Sequence, residues 1–413
     1  MATVEDRNSL NVLFLSQRVP HPPDRGDRIT THHFLRHLRS QGHSIRVGCL
    51  CEDDRDVEAA RELGTMVGAI CAPRIDRRWR KLRSLFGLLT GEALTLPFFR
   101  VRALQHAVDR WLAEGIDLVY VYSSSMALYV RGRTGPLRLM QFAELDSDKW
   151  RQYAQTRRGL ARRVYDREAR TLLAFEAAIA REFDVSFVVS EVEKELFMQR
   201  IPGVEPIVLR NGVDVEHFCS KGDQLREPHS VVFTGVMDYE PNVDAVLWFV
   251  AGSWPQVRAS FPDARLYVVG SKPSPAVAAL HGCEGIVVTG RVPETLPWFE
   301  RSSVAIAPLR LARGVQNKVL EAMSMALPVV CTPSAAQGLG AVDGAVLRVA
   351  GDAVRIAEEV IALLRDPSRA RSIGAAAAHF VRANFRWESQ FAVLDAVIAK
   401  ARSRRDQGLA TSR

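Results

Sequence analysis

Short apolar runs recur along this chain, and the stretches between them carry their apolar residues at helical spacing. The first run is Val12–Leu15. A loop rich in Pro and Gly follows, RVPHPPDRGDRITTHHF, then a helix to about Ser40 that Gln41-Gly42-His43 ends, then a second run at Ser44–Leu50. Strand, Gly/Pro loop, helix and strand in that order make a βαβ unit and imply a parallel sheet. Further runs fall at Met66–Cys71, Leu118–Tyr122, Leu137–Phe142, Val185–Val189 and Pro206–Leu209. Helical stretches separate most of them, notably Ala103–Glu114 and one long stretch, Asp148–Arg181.

A polar, turn-like segment, CSKGDQLREPHS, interrupts the pattern, which then starts again. Val231–Phe233 is a strand, and Pro241-Asn242 opens a helix, proline being well placed in a first helical turn. Strands at Leu266–Val269, Ile286–Thr289 and Val304–Ala307 follow, then a helix over Val315–Met325 and a strand at Pro328–Cys331. Gly235, Gly270, Gly290 and Pro308 stand at the carboxyl ends of these strands, where open α/β sheets hold their ligands. The length, 413 residues, suits two domains, since a single core rarely grows beyond roughly 250–300 residues. The expected division is 1–212, 213–385, and a C-terminal helix and tail, 386–413, that packs back on the first domain. No repeat of solenoid period is visible.

Composition adds little to this picture: 47% hydrophobic and 25% charged residues is an ordinary globular balance. Charge adds more. The net charge of +8 and pI near 9.4 favour an anionic partner: nucleic acid, anionic lipid or a phosphorylated substrate. No run approaches the roughly 20 apolar residues of a membrane-spanning helix. The first apolar run is short and preceded by acids, unlike a secretory signal, so a cytoplasmic protein is expected. The six cysteines (Cys49, Cys51, Cys71, Cys219, Cys283, Cys331) form no C-x2-C pair. They read as small apolar residues of a reducing compartment, and no structural metal is expected.

Four segments carry candidate chemistry. In PLRLARGVQNKVLEAMSMALPVV, a helix starts near Val315 just after Gly314, so its first backbone N–H groups can receive an anion. Lys318 lies within reach of the same anion, and Glu321 stands about one turn further along, where a carboxylate can grip a ribose diol. An ordinary amphipathic helix with a surface Lys–Glu pair is the alternative. In Pro22-Pro23-Asp24-Arg25-Gly26-Asp27-Arg28, Gly26 permits a tight backbone, and Asp27 or Arg28 can meet hydroxyls or phosphate. In Glu144-Leu145-Asp146-Ser147-Asp148 the carboxylates follow a strand end, although Ser147 or Asp148 serves equally as a helix cap. Between Arg74 and Phe86, basic residues including Arg77, Arg78, Arg80 and Lys81 interleave with Trp79, Leu82, Leu85 and Phe86. That is the design of an amphipathic helix lying on anionic lipid; the alternative is a solvated face over core aromatics. Arg157, Arg158, Arg162 and Arg163 form a second basic cluster. His32, His33 and His37 complete no metal motif and read as helix packing.

The run Glu321-Ala322-Met323-Ser324-Met325-Ala326-Leu327-Pro328-Val329-Val330 resembles the donor-binding signature of glycosyltransferase family 4, E-x7-E with E-A-M-x-x-G-x-P-V-V. Ala326 stands where the family usually has Gly, and Arg313 where it has its first Glu. The form RGVQNKVLEAM is similar to an exopolysaccharide-associated subgroup. The resemblance implies a GT-B fold: two Rossmann-like α/β domains with parallel sheets facing across a cleft. It implies a nucleotide-sugar donor in the second domain, a glycan or lipid-linked glycan acceptor in the first, retention at the anomeric carbon, and no metal or cofactor. Carried onto this chain, donor contacts fall on Gly235, Arg291, Gly314, Val315, Gln316, Lys318 and Glu321. Acceptor contacts fall on Gly26, Asp27, Arg28 and Asp146. The basic stretch at Arg77, Arg78, Trp79, Arg80 and Lys81 then reads as the contact with an anionic membrane surface, at the inner face of the cytoplasmic membrane. The rival readings are a nucleotide-sugar epimerase or phosphorylase-like enzyme of the same fold, a basic nucleic-acid binder, and an inactive scaffold suggested by Arg313. Nucleic acid is disfavoured because no zinc, helix-turn-helix or ribonucleoprotein motif is present.

Overall fold

A computed structural model describes residues 9–220, 222, 226–312, 314–341 and 343–411. The chain forms two compact units: the first comprises residues up to Leu209 and from Phe391 onward, the second Arg210–Gln390. The first holds a sheet of β1 (Asn11–Ser16), β2 (Ser44–Gly48), β3 (Ala69–Cys71), β4 (Leu118–Tyr122), β5 (Leu137–Ala143), β6 (Val185–Val188) and β7 (Ile207–Val208), in the order β3-β2-β1-β4-β5-β6-β7. Every pairing in it is parallel. The second holds β8 (Ser230–Thr234), β9 (Arg265–Val269), β10 (Ile286–Gly290), β11 (Val304–Ala307), β12 (Val329–Cys331) and β13 (Arg348–Val349), in the order β10-β9-β8-β11-β12-β13, again all parallel. Both orders reverse once, between β1 and β4 and between β8 and β11. Those reversals are the switch points at which doubly wound sheets open a crevice.

The strands beside the switch points are apolar along their length because both sheet faces are covered. Every residue of β4, β8 and β11 is buried. In the first unit Phe14 stacks on Tyr120 with ring centroids 5.1 Å apart. The last helix, Trp387–Thr411, joins this unit from Phe391: Phe391 stacks on His37 at 4.2 Å, and His37 Nε2 lies 2.8 Å from Asp395 Oδ1. In the second unit Trp254 is buried in the core, its Nε1 donating to the Glu284 carbonyl at 2.9 Å.

Two elements differ from the expected pattern. The stretch read as one helix over Asp148–Arg181 is two helices, Asp146–Thr156 and Gly159–Glu182. Arg157 and Arg158 are extended and Gly159 takes a positive φ of 64°, so the chain turns there, and the two helices pack on each other. The helix expected over Val315–Met325 runs Asn317–Ser324 with Gln316 as its N-cap, which puts Lys318 at its second position.

That helix ends in a left-handed residue. Leu327 N–H donates to the Ala322 carbonyl at 3.1 Å and Ala326 N–H to the Met323 carbonyl at 3.0 Å, the paired bonds of a Schellman motif. Ala326 carries the positive φ, 52°. A Cβ is unfavourable in that conformation by about 1–2 kcal/mol, partly offset by the entropy a glycine adds to the unfolded chain. Ala326→Gly is therefore expected to stabilise the protein by about 0.5–1 kcal/mol, read from urea unfolding midpoints at unchanged slope. A destabilised variant would contradict this account of the helix end.

Candidate functional site

In the second unit the chemistry gathers around one ammonium. Strand β8 delivers Phe233 and then Gly235 at its carboxyl end. The helix Glu240–Gly252 has Pro241 in its first turn and places Asn242 behind that loop. Lys318 Nζ donates to Asn242 Oδ1 at 2.6 Å and stands 4.4 Å from the centre of the Phe233 ring. Asn242 Nδ2 is held in turn by the Val236 carbonyl at 2.9 Å. Glycine is required beside it: a Cβ on Gly235 would sit 2.9 Å from Lys318 Nζ and 2.7 Å from Asn242 Nδ2. Gly270 packs still closer, since its Cβ would lie 1.7 Å from the Gly235 carbonyl oxygen.

Lys318 and Glu321 are both half-buried. Burial pushes the ammonium down to about 7, against the pull of Glu321. Burial likewise raises the Glu321 carboxyl to about 7, against the pull of Lys318. The second position of one helix and the first turn of another meet here, with the positive ends of both dipoles. An anion placed there restores the proton that burial has loosened from Lys318. Gly314 and Val315 are buried just ahead of the helix, with Gly314 at a φ of 59°, and Gln316 caps it through its backbone only. Arg291 is exposed on the loop after β10. Arg313 lies outside the described residues. Asn242 and Phe233 are neighbours of Lys318 that spacing did not single out. Asn242 had a visible signal, the Pro-Asn pair after a strand, whereas Phe233 read only as core.

In the first unit the residues at the carboxyl edge are acidic and hydroxylic. Gln17, just beyond β1, donates from Nε2 to Ser123 Oγ and Ser125 Oγ, each at 2.7 Å, across the switch point to the end of β4. Ser123 and Ser124 turn their hydroxyls to Asp146 Oδ2 at 3.4 and 3.3 Å. Behind Asp146 lies Glu176, fully buried, whose Oε1 accepts from the Ser147 N–H at 3.4 Å. Burial raises Asp146, against Lys149 and the two serines. Burial and then the neighbouring Asp146 raise Glu176 to about 8, so it is a neutral acid at pH 7.

Gly26 starts the helix Gly26–Ser40, but Asp27 and Arg28 are committed to ion pairs. Asp27 pairs with Arg18 at 2.6 Å and with Arg25 at 3.2 Å; Arg28 pairs with Asp56, and with Asp24 at 3.4 Å. Burial would raise Asp27, but Arg18, Arg25 and Arg28 hold it below the usual carboxylate range. This network pins the loop, so Asp146 is the predicted acceptor residue that the structure sets among hydroxyls instead of cations.

Solved structures share this architecture. Sucrose-phosphate synthase from Thermosynechococcus elongatus aligns over 96% of this chain and 100% of its own, with a TM-score of 0.74 and 17% identity. Anabaena HepE in complex with UDP-glucose aligns over 95% and 100%, with a TM-score of 0.67 and 13% identity. The fold is GT-B, with two parallel-sheet α/β units. Residues 228–366, which include Lys318 and Glu321, match the family described as "Glycosyl transferases group 1". A curated relative, the "Uncharacterized 44.6 kDa protein in cps region" of Klebsiella pneumoniae, is 25% identical over 164 residues, 38% of this chain; the match spans 42% of that relative's length. The matched domain supports a glycosyltransferase, and the solved structures show the fold.

Glu176 makes stability depend on pH. Its carboxyl sits at about 8 in the folded chain against an ordinary 4.5, so over that window the folded state holds a proton the unfolded state has lost. Stability attributable to it falls as pH rises from 4.5 to 8, with a limiting slope of about 1.4 kcal/mol per pH unit. Glu176→Gln keeps the neutral shape and has no proton to lose. Urea unfolding at pH 5 to 8 should show a flatter decline in the variant; parallel profiles would remove the neutral-acid assignment.

Proposed function

We propose that this chain transfers a sugar from a nucleotide-diphosphate sugar to a glycan acceptor, with retention at the anomeric carbon. The observation that carries this is the Lys318 ammonium, half-buried between Asn242 and Phe233 one helical turn from Glu321, inside the region that matches group 1 glycosyl transferases. Lys318 and the start of the Asn317–Ser324 helix receive the diphosphate. Glu321 takes the ribose diol, and Gly235, Arg291, Gly314, Val315 and Gln316 complete the donor contacts. As the bond from the anomeric carbon to the diphosphate breaks, negative charge grows on the leaving oxygens, and a preorganised cation and helix dipole stabilise it. Asp146, Gly26, Asp27 and Arg28 meet the acceptor, Asp27 and Arg28 from within their ion pairs.

The likeness to a HepE structure that holds UDP-glucose supports a nucleotide-sugar donor. The relative in a cps region supports a role in exopolysaccharide synthesis; a lipid-linked acceptor, met at the inner face of the cytoplasmic membrane, is part of the same proposal. Retention comes with the family 4 resemblance.

Proton linkage tests the donor site. At pH 8 the Lys318 amine is mostly neutral in the free protein, and a diphosphate beside it raises its pKa toward the ordinary range. Binding of UDP-glucose, or of whichever nucleotide sugar binds in a thermal-shift screen, should then take up a proton. Calorimetry at pH 8 in buffers of different ionisation enthalpy reads that uptake, and affinity should weaken from pH 7 to 9. Lys318→Met should abolish the uptake. Glu321→Gln should weaken nucleotide binding by about 1–2 kcal/mol, since a charge-assisted bond becomes a neutral one. Unchanged affinity in both variants would sink the assignment.

A further inference from the structure

The helix Arg77–Ser84 buries none of its residues. Trp79, Leu82, Leu85, Phe86, Leu88 and Leu89 are all exposed, Leu89 by 83%, over a span of eleven consecutive positions. Such a concentration of apolar surface marks an interaction site. The core-aromatic alternative therefore fails for Trp79 and Phe86, which lie on the outside.

The segment is fastened rather than loose. Asp76 caps the helix by accepting from Arg78 N–H at 2.8 Å; Arg77 pairs with Glu52 at 2.9 Å; Arg80 donates to the Arg100 carbonyl at 2.7 Å. Beyond it, the short helix Phe86–Thr90 turns on Gly87, where a Cβ would stand 3.0 Å from the Glu92 carbonyl. Arg167, on the Gly159–Glu182 helix, donates to the carbonyls of Gly87 at 2.6 Å and Glu92 at 3.2 Å. Its buried neighbour Glu168 accepts from the N–H groups of Leu94 and Thr95 at 2.6 and 2.9 Å. Polar groups of one helix thus hold the apolar tip in place.

That latch joins the tip to the helix that carries the second basic cluster. Arg163 and Leu160 precede Arg167 by four and seven residues, so they share its stripe on the helix, within about 10 Å along the axis. Leu160 is 77% exposed, and Arg158 and Arg163 are exposed beside it. Around the apolar tip, Arg77 and Arg80 are occupied by the contacts above. Arg78, Lys81 and Arg83 are exposed and make no ion pair among the described residues.

We propose that the Trp79–Leu89 tip and the first two turns of the Gly159–Glu182 helix form one face that docks on an anionic lipid bilayer. Leu82, Phe86, Leu89 and Leu160 enter the acyl boundary while Arg78, Lys81, Arg83 and Arg163 meet headgroup phosphates, with Trp79 at the interface. The charge decides the occupant: cations flank the apolar residues on both helices, which suits an anionic surface. The inference deepens the reading above, resting on it only for the statement that the acceptor is lipid-linked.

The test uses the full chain with phosphatidylcholine vesicles, with and without one-third phosphatidylglycerol. Wild type should co-sediment with the anionic vesicles only, and Trp79 fluorescence, taken as the difference from Trp79→Phe, should shift to the blue. Replacing Arg78, Lys81 and Arg83 with Ser should lower partitioning on the order of a hundredfold. Phe86→Glu with Leu89→Glu should abolish the blue shift, and Leu160→Glu with Arg163→Ser should weaken binding although it leaves the tip intact. Thermal melts that match wild type exclude misfolding in these surface variants. No vesicle binding by wild type, equal binding to neutral vesicles, or variants that bind as wild type does would each overturn the proposal; so would an acidic protein captured in place of lipid. Transfer to a water-soluble acceptor is scored in parallel. Docking without transfer leaves this face standing and removes the sugar-transfer reading, and transfer without docking does the reverse.

Discussion

Parallel pairing is the constraint from which the rest follows. A parallel strand cannot return by a tight turn, so each connection crosses over and every strand in a sheet ends at the same edge. In both units the strand order reverses once, and the chains leaving the two sides of that reversal diverge. Gln17 and Ser123 flank one reversal; Gly235 and Pro308 flank the other. The polar groups at these edges are there because the sheet interiors, covered on both faces, leave no room for them elsewhere.

The two edges use burial with opposite sign. In the second unit desolvation works on a cation, loosening the proton of Lys318. In the first it works on carboxyls, keeping Glu176 neutral behind Asp146. Each is a group held away from its preferred charge state by its surroundings, which perturbed sites at functional positions commonly are. The difference matches the proposed division of labour, in which one edge receives an anion and the other hydroxyls. The Arg18–Asp27 and Arg28–Asp56 pairs neutralise one another's charge and fix the loop between β1 and its helix.

The exposed tip follows a third logic. Its leucines and aromatics gain nothing from the core, and its position depends on Arg167 and Glu168, which satisfy the backbone groups of a segment with few apolar contacts of its own. Loops so fastened hold functional surface at low local stability.

Much of this was legible in the chain itself. The apolar runs, their Gly and Pro endings and the restart after the polar segment determine two parallel α/β sheets, because period and turn chemistry are local properties. The Lys318–Glu321 spacing was legible for the same reason, being set within one helix. Local pattern also misled: the stretch read as one helix breaks at Arg157-Arg158-Gly159, and the two helices that result pack on each other. Only the tertiary structure decided that Lys318 rests on Asn242 and Phe233, since those contacts span 76 or more residues of chain and depend on how β8 and two helices meet. It likewise decided that Asp27 and Arg28 are held in ion pairs, that Trp79 faces outward, and that Arg167 reaches a segment 80 residues earlier in sequence. Those outcomes depend on burial and on the partner at hand, which are properties of the packed chain and not of any one segment.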